Sequence, residues 1–194
     1  MSLRDIHLLG SPVLRQRSAE VGKVTDEVRA FIADLFDTMR ASKGVGLAAN
    51  QIGVATRVCV VETDAEHSYA LVNPVIVERE DKDKDEEGCL SIPEIYGDVE
   101  RSARVIVEAL DENGRKRRIE ATELLGRAIQ HEIDHLDGIL FIDRVGPLKR
   151  RSLIKKWEKS RKGEIGYIRK VDAPEPAAAG AKGADRAAED AEKL

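Results

Sequence analysis

Residues 123–136 read ELLGRAIQHEIDHL and contain the pattern H-E-x-x-H at positions 131–135. Apolar side chains recur through this stretch at the spacing of one helix face, which predicts a helix over about 123–136. Because residues four apart project from the same face, His131 and His135 can bind one metal ion. Glu132 lies about 100° further round the helix and could move a proton beside that ion. The alternative is a polar helix face without a metal.

A catalytic metal site of this kind needs a third protein ligand. The metzincin pattern would require histidine at position 141, which is Phe141, and no histidine follows His135. Glu158 is a weaker candidate because it lies among basic residues. Cys89, in the stretch EGCLS at 87–91, is the better candidate because a thiolate is a strong metal ligand, although it could be an idle thiol. Cys59 lies in a valine-rich run and is expected to be a core residue.

The glycine-rich stretch GVGLAANQIG at 44–53 allows close approach of the backbone to a ligand. It does not match the dinucleotide-binding pattern, because no strand precedes it and position 49 is Ala49 instead of glycine. Gln51 could donate a hydrogen bond to an oxyanion, as amide side chains do in acyl-transfer sites. The alternative is a tight loop without a binding role.

The remaining patterns predict an α+β fold with an antiparallel sheet. Thr25 is a potential N-cap for an amphipathic helix over about 28–39, and Pro147 opens a basic helix over about 147–162. Asn113-Gly114 indicates a hairpin turn. Short β-branched runs predict strands at 57–61, 69–72, 75–78, 104–110 and 117–121.

Composition separates a catalytic domain, residues 1–170, from an alanine-rich, charged segment, residues 171–194, which we expect to be a disordered tail. The chain of 194 residues has a net charge of −4, which argues against a protein that coats nucleic acid with its whole surface. Two cysteines are too few for a disulfide framework. The sequence has neither an apolar run of 18 residues nor a signal peptide at its start, so we expect a cytoplasmic protein.

Two charged segments remain. Residues 149–162 carry eight basic side chains against Glu158, and the acidic loop expected at 78–87 carries seven acids and three bases. Both are interpreted first as solvated surfaces. For the basic helix, docking on ribosomal RNA is the second hypothesis.

Four segments occur in this order: GSPVLR at 10–15, GVGLAANQ at 44–51, EGCLS at 87–91 and HEIDH at 131–135. Together they resemble bacterial peptide deformylases, over about residues 3–165. The resemblance implies a metal-dependent hydrolase that removes the N-formyl group from N-formylmethionine of nascent polypeptides and releases formate. It also implies antiparallel sheets packed around the helix that carries H-E-x-x-H, with an N-terminal and a C-terminal helix. The alternatives are another H-E-x-x-H metallopeptidase and a non-catalytic ribosome-binding protein.

The resemblance further implies roles for individual residues. One divalent ion per chain, usually Fe²⁺ with Zn²⁺, Ni²⁺ or Co²⁺ as alternatives, would be bound by Cys89, His131 and His135. Glu132 would be the general acid and base. The Gln51 side chain and the Leu90 N–H would contact the oxyanion, and the Gly46 backbone would bind the peptide.

The substrate side of the site is predicted less directly. The candidates for an apolar pocket around the methionine side chain are Val45, Leu90, Ala128 and Ile129, of which Ile129 is also a natural core residue. The partners expected are the formylated peptide and, through the basic helix, the ribosome. We expect a monomer.

Overall fold

The computed structural model describes residues 2–173, so the tail prediction falls outside the described residues from position 174 onward. The described part contains three α-helices: α1 (Asp26–Ala41), α2 (Glu123–Leu136) and α3 (Pro147–Ser160). Its strands are β1 (Ile6–His7), β2 (Gly46–Ala48), β3 (Val58–Glu62), β4 (Ser68–Glu80), β5 (Asp83–Cys89), β6 (Ile92–Arg101), β7 (Arg104–Leu110), β8 (Lys116–Thr122) and β9 (Ile168–Arg169). This combination of helices and strands confirms the predicted α+β class.

Five strands form the main sheet, in the order β2-β3-β4-β7-β8, with every neighbouring pair antiparallel. Side chains alternate across β3, so Val58 and Val60 join one hydrophobic cluster while Cys59 and Val61 join another. The first cluster includes residues of α1 and α3, and the second includes the apolar face of α2. The sheet is therefore buried on both faces near β3, and α2 lies against one of them.

The helix predictions are confirmed with small differences. The Thr25 hydroxyl accepts a hydrogen bond from the Val28 N–H at 3.4 Å and so caps α1. Helix α2 has the predicted bounds, and α3 begins at Pro147 as predicted but ends at Ser160 instead of about 162. Leu153 and Trp157 are the buried residues that hold α3 to the core.

Strand β4 joins two segments that the sequence analysis treated as separate strands. Asn73-Pro74 separates them, and proline cannot donate to a strand ladder. The chain accommodates it with a bulge between Val72 and Val75 and a positive φ of 52° at Asn73. The Asn73 side chain stabilises this backbone conformation, because it accepts a hydrogen bond from the Val21 N–H and donates one to the Val21 carbonyl oxygen.

The acidic segment is a strand and not the expected loop. Residues 83–89 form β5, which pairs with β6 in a separate two-stranded antiparallel sheet, here called the ligand hairpin (residues 83–101). Backbone pairing satisfies the strand's polar groups while most of its acidic side chains stay in solvent, so a charged composition does not prevent strand formation. The glycine-rich stretch is also partly regular, because it contains β2 and a 3₁₀ turn at Ala49–Ile52.

No helix among residues 2–173 combines the length and the apolar character needed to cross a membrane.

Candidate metal centre and active site

Helix α2 and the end of β5 bring three potential metal ligands together. Cys89 Sγ and one nitrogen each from His131 and His135 lie within 4.8 Å of one another. Cys89 Sγ is 3.2 Å from His135 Nε2. Within residues 2–173 no other three His, Cys, Asp or Glu side chains form such a group, so Glu158 is not part of one.

The geometry and chemistry of this group fit a divalent transition metal. In a tetrahedral zinc site the metal lies about 2.3 Å from sulfur and about 2.1 Å from nitrogen. The sulfur and nitrogen atoms of such a site are therefore roughly 3.6 Å apart. The observed sulfur–nitrogen distance of 3.2 Å is close to that value. One thiolate and two imidazoles suit both zinc and ferrous iron. Three protein ligands also leave a position for water or substrate, as catalytic sites require.

Glu87 fixes the orientation of His131. Its Oε2 is 3.0 Å from His131 Nδ1, so Nε2 is the nitrogen of that ring that is available to a metal ion. Arg101 binds the same carboxylate twice, at 2.8 Å and 2.9 Å. Burial opposes ionisation of Glu87, but the hydrogen bonds from Arg101 and His131 outweigh it and lower the pKa of this carboxyl. Glu87 therefore stays an anion behind the histidine.

The sequence analysis assigned no role to Glu87 or Arg101. Glu87 lies in the quoted EGCLS stretch, two residues before Cys89, so its proximity to the site could have been inferred. Arg101 had no such signal, because it lies 12 positions beyond Cys89 and reaches Glu87 only through the pairing of β5 with β6.

Glu132 lies inside the site with its carboxylate incompletely bonded. The residue is 4% exposed, and its Oε2 has no hydrogen-bond partner among the described residues. Burial raises the pKa of Glu132 to about 7, although the positive charges of His131 and Arg101 oppose this effect. A side chain at position 46 would overlap the Glu132 carboxylate. This contact explains why the strand that passes Glu132 has glycine there.

Gln51 and Leu90, the two predicted oxyanion contacts, both lie beside Cys89. Gln51 is buried and accepts a hydrogen bond from the Ala48 N–H at 2.8 Å. Its Nε2 donates to Ser91 Oγ at 3.1 Å and points toward Cys89 Sγ at 3.6 Å. Leu90 occupies the turn between β5 and β6, and its N–H has no hydrogen-bond acceptor within residues 2–173. Both donors thus belong to segments that meet at Cys89.

The predicted pocket residues differ in how accessible they are. Val45 is 42% exposed and precedes β2. A Cβ at Gly44 would lie 2.7 Å from Leu90 Cδ1, so the glycine-rich stretch and the Leu90 side chain pack together. Ala128 is 6% exposed, whereas Ile129 is fully buried against the sheet with Val105 and Val107. The burial of Ile129 supports its core role and leaves no surface of this residue for a substrate.

The chain is similar to known proteins over most of its length. The family model for polypeptide deformylase matches residues 3–151. The chain belongs to the polypeptide deformylase family. The deformylase of Heliobacterium modesticaldum is 51% identical over 145 residues, which cover 75% of this chain and 95% of that protein.

Solved deformylase structures share the fold. The deformylase of Legionella pneumophila has a TM-score of 0.79 and 40% identity, covering 83% of this chain and 96% of that one. The enzyme of Synechococcus elongatus, solved in complex with actinonin, has a TM-score of 0.75 and 43% identity, covering 79% and 86%.

Family membership confirms the predicted activity. The protein is a metal-dependent hydrolase that removes the N-formyl group from nascent polypeptides. Neither another metallopeptidase nor a non-catalytic ribosome-binding protein is favoured by these relationships.

Proposed function

We propose that Cys89, His131 and His135 would hold one divalent ion, and that the carboxylate of Glu132 beside this site acts as general base and acid in hydrolysis of the formamide of N-formylmethionyl peptides. The observation that carries this proposal is the cluster of three ligand atoms within 4.8 Å, with a buried, incompletely bonded carboxylate from the same helix. A divalent ion at this site supplies Lewis acidity, which lowers the pKa of water toward about 7 and polarises a carbonyl oxygen.

Glu132 is the proposed proton carrier. One carboxylate oxygen accepts a proton from the attacking water and then delivers it to the nitrogen of the departing methionine amine. The neighbouring hydrophobic core restricts access of bulk water to this carboxylate, which is 4% exposed. The reaction then yields formate and a free amino group.

Gln51 Nε2 and the Leu90 N–H are the proposed donors to the formyl oxygen as it gains negative charge. Losing one such donor costs roughly 3 kcal/mol in other hydrolases. The Leu90 N–H has no acceptor within residues 2–173, whereas Gln51 Nε2 would have to exchange its contact with Ser91 Oγ at 3.1 Å or with Cys89 Sγ at 3.6 Å. The two donors approach from different segments and so define where the oxygen binds.

The backbone of Gly46 is the proposed contact for the peptide. Strand β2 is at the edge of the five-stranded sheet, since it pairs with β3 on one side only. An extended peptide can add to such an edge through main-chain hydrogen bonds. The glycine also places this edge directly beside Glu132. Val45, Leu90 and Ala128 remain the proposed lining of the methionine pocket.

Ferrous iron is the proposed physiological metal, with Zn²⁺, Ni²⁺ or Co²⁺ able to occupy the same ligands. Formate release from a formyl-Met tripeptide tests the whole assignment. The protein should be purified without oxygen or reconstituted with Ni²⁺, so that loss of iron does not hide activity. We expect one bound ion per chain, rapid formate release, and loss of activity after metal removal that the added ion restores. One bound ion per chain without formate release would contradict the proposal.

The basic face of α3 is a proposed contact with ribosomal RNA near the emerging chain. Lys149, Arg151, Lys155 and Lys159 are exposed, and none of these pairs with an acidic side chain in the described part of the protein. Leu153 and Trp157 hold α3 to the core, and Arg151 and Lys155 lie on the opposite face of the helix. Because the substrate is a nascent chain, the cytoplasm is the proposed compartment. The monomeric state of the protein stays a prediction.

Neutralising Lys155 and Lys159 together tests the ribosome contact. We expect weaker ribosome binding and a salt dependence reduced by about two in the slope of log K against log salt, since each phosphate contact contributes about one. Formate release from a short peptide should not change. Lys23→Ala, which removes a positive charge elsewhere, is the control. Binding that does not depend on salt would contradict an electrostatic contact.

A further inference from the structure

We infer that Arg127 is a positioning residue that docks the ligand hairpin, and with it Cys89, onto α2. The inference rests on the metal ligands proposed above. Arg127 lies one helical turn before His131 on α2 and is 8% exposed. It belongs to none of the motifs that the sequence analysis connected with the site.

The guanidinium of Arg127 reaches both strands of the hairpin. Nη1 donates to Glu87 Oε1 and to the carbonyl oxygen of Val99, each at 2.9 Å. Nη2 donates to Asp83 Oδ2 at 3.0 Å. Asp83 and Glu87 belong to β5 and Val99 belongs to β6, so one side chain of α2 binds both strands.

The hairpin needs such an anchor because of its place in the fold. It forms a two-stranded sheet that is not hydrogen-bonded to the five-stranded sheet. Its apolar residues Ile92, Ile95 and Val99 join the cluster that contains Phe141 and Leu153, whereas the apolar face of α2 joins the other cluster. Hydrophobic packing therefore connects the hairpin to α3, and polar contacts connect it to α2.

Arg101 does not replace Arg127 in this role. Arg101 is part of β6, so its two bonds to Glu87 are internal to the hairpin, and only its contact with Asp134 crosses to α2. Cys89 ends β5, whereas both histidines are on α2. The distance between the sulfur and the histidine nitrogens therefore depends on how the hairpin docks. The planar fork of arginine binds several acceptors at once, which a lysine ammonium cannot reproduce from the same position.

Metal affinity of Arg127→Met, measured by competition of Zn²⁺ with a chelator, tests the inference without relying on activity. Methionine retains much of the apolar stem and removes every donor. We expect affinity to fall about 10- to 100-fold, the usual loss when an outer partner of a metal site is removed. The Co²⁺-loaded variant should also have a weaker sulfur-to-cobalt absorption band.

Two further variants serve as comparisons. Arg127→Lys keeps the charge without the fork, and we expect it to recover only part of the affinity. Should Arg127→Met fail to fold, Arg127→Lys becomes the primary test. Arg104→Met is the matched control, because the Arg104 side chain pairs with Glu80 and Glu120 on the main sheet and forms no hydrogen bond or ion pair with the hairpin. It should bind Zn²⁺ as the wild type does. Wild-type affinity in both Arg127 variants would overturn the inference.

A double-mutant comparison separates a role through Cys89 from a general structural role. In a Cys89→Ser background, where the sulfur ligand is already missing, the Arg127→Met change should weaken Zn²⁺ binding by less than about 3-fold. An equal loss in both backgrounds would mean that Arg127 acts through His131 or the fold, and would overturn the inference. If Cys89→Ser binds Zn²⁺ as tightly as the wild type, the ligand set itself is wrong, and this inference falls with it.

Discussion

Glu132→Gln is expected to lower kcat for formate release by about 10²- to 10⁴-fold, the range that a positioned general acid and base contributes. Glutamine has nearly the same shape as glutamate, so it should fit the buried space beside Gly46. Its amide cannot accept a proton from water and return it to the leaving amine. Metal content should remain at one ion per chain, because Cys89, His131 and His135 are unchanged.

The measurement is formate release at saturating substrate, with metal content determined on the same sample. Glu120→Gln is the matched control, since Glu120 lies on β8 and pairs with Arg104 at the surface. It removes the same charge without touching the site and should leave kcat unchanged. Near-normal kcat in Glu132→Gln at full metal occupancy would exclude Glu132 as the proton carrier.

Cys89→Ala is expected to remove most metal binding and, with it, formate release. The change deletes one of three proposed ligands, so the loss of affinity should exceed the roughly 10- to 100-fold caused by removing an outer partner. His131 and His135 remain in this variant, but the site then lacks the thiolate ligand and its negative charge. Two measurements should fall together: the metal content determined after desalting and the rate of formate release.

Cys59→Ala is the matched control for this variant. Cys59 is fully buried in β3, where its thiol packs in the core, and burial raises the pKa of that thiol. We expect metal content and activity to be retained, with a stability loss on the order of 1 kcal/mol for a small core truncation. If instead Cys59→Ala lost the metal and Cys89→Ala kept it, the assignment of the two cysteines would be reversed.

Local patterns in the sequence were enough to predict the helices and the ligands on α2. The positions of α1 and α2 follow from apolar periodicity and, for α1, the Thr25 cap. His131 and His135 share a face because of helix geometry alone, so their pairing did not depend on the rest of the fold. Cys89 was the preferred third candidate on chemical grounds, and its proximity to the histidines needed the folded chain.

The strand pattern was only partly predictable. Short runs of β-branched residues identified β3 and β7, and most side chains of both strands are buried. The ligand hairpin was missed because charged residues dominate β5, and its stability comes from pairing with β6. Strand β4 was divided in two because a proline ordinarily ends a strand, and only the bulge at Asn73-Pro74 allows it to continue.

The sequence by itself determined α2 and the face that His131 and His135 share, because helical spacing and the chemistry of the side chains are local properties. The reaction was indicated by the resemblance of four separate segments to bacterial peptide deformylases. The tertiary structure alone decided which distant groups support the residues on α2. Gly46 lies against Glu132, Arg101 binds Glu87, and Arg127 holds the hairpin that carries Cys89. These contacts join segments separated by 14 to 86 positions along the chain, as the residue numbers show. No periodicity within one segment encodes such a contact, since it depends on how sheet, hairpin and helix pack together.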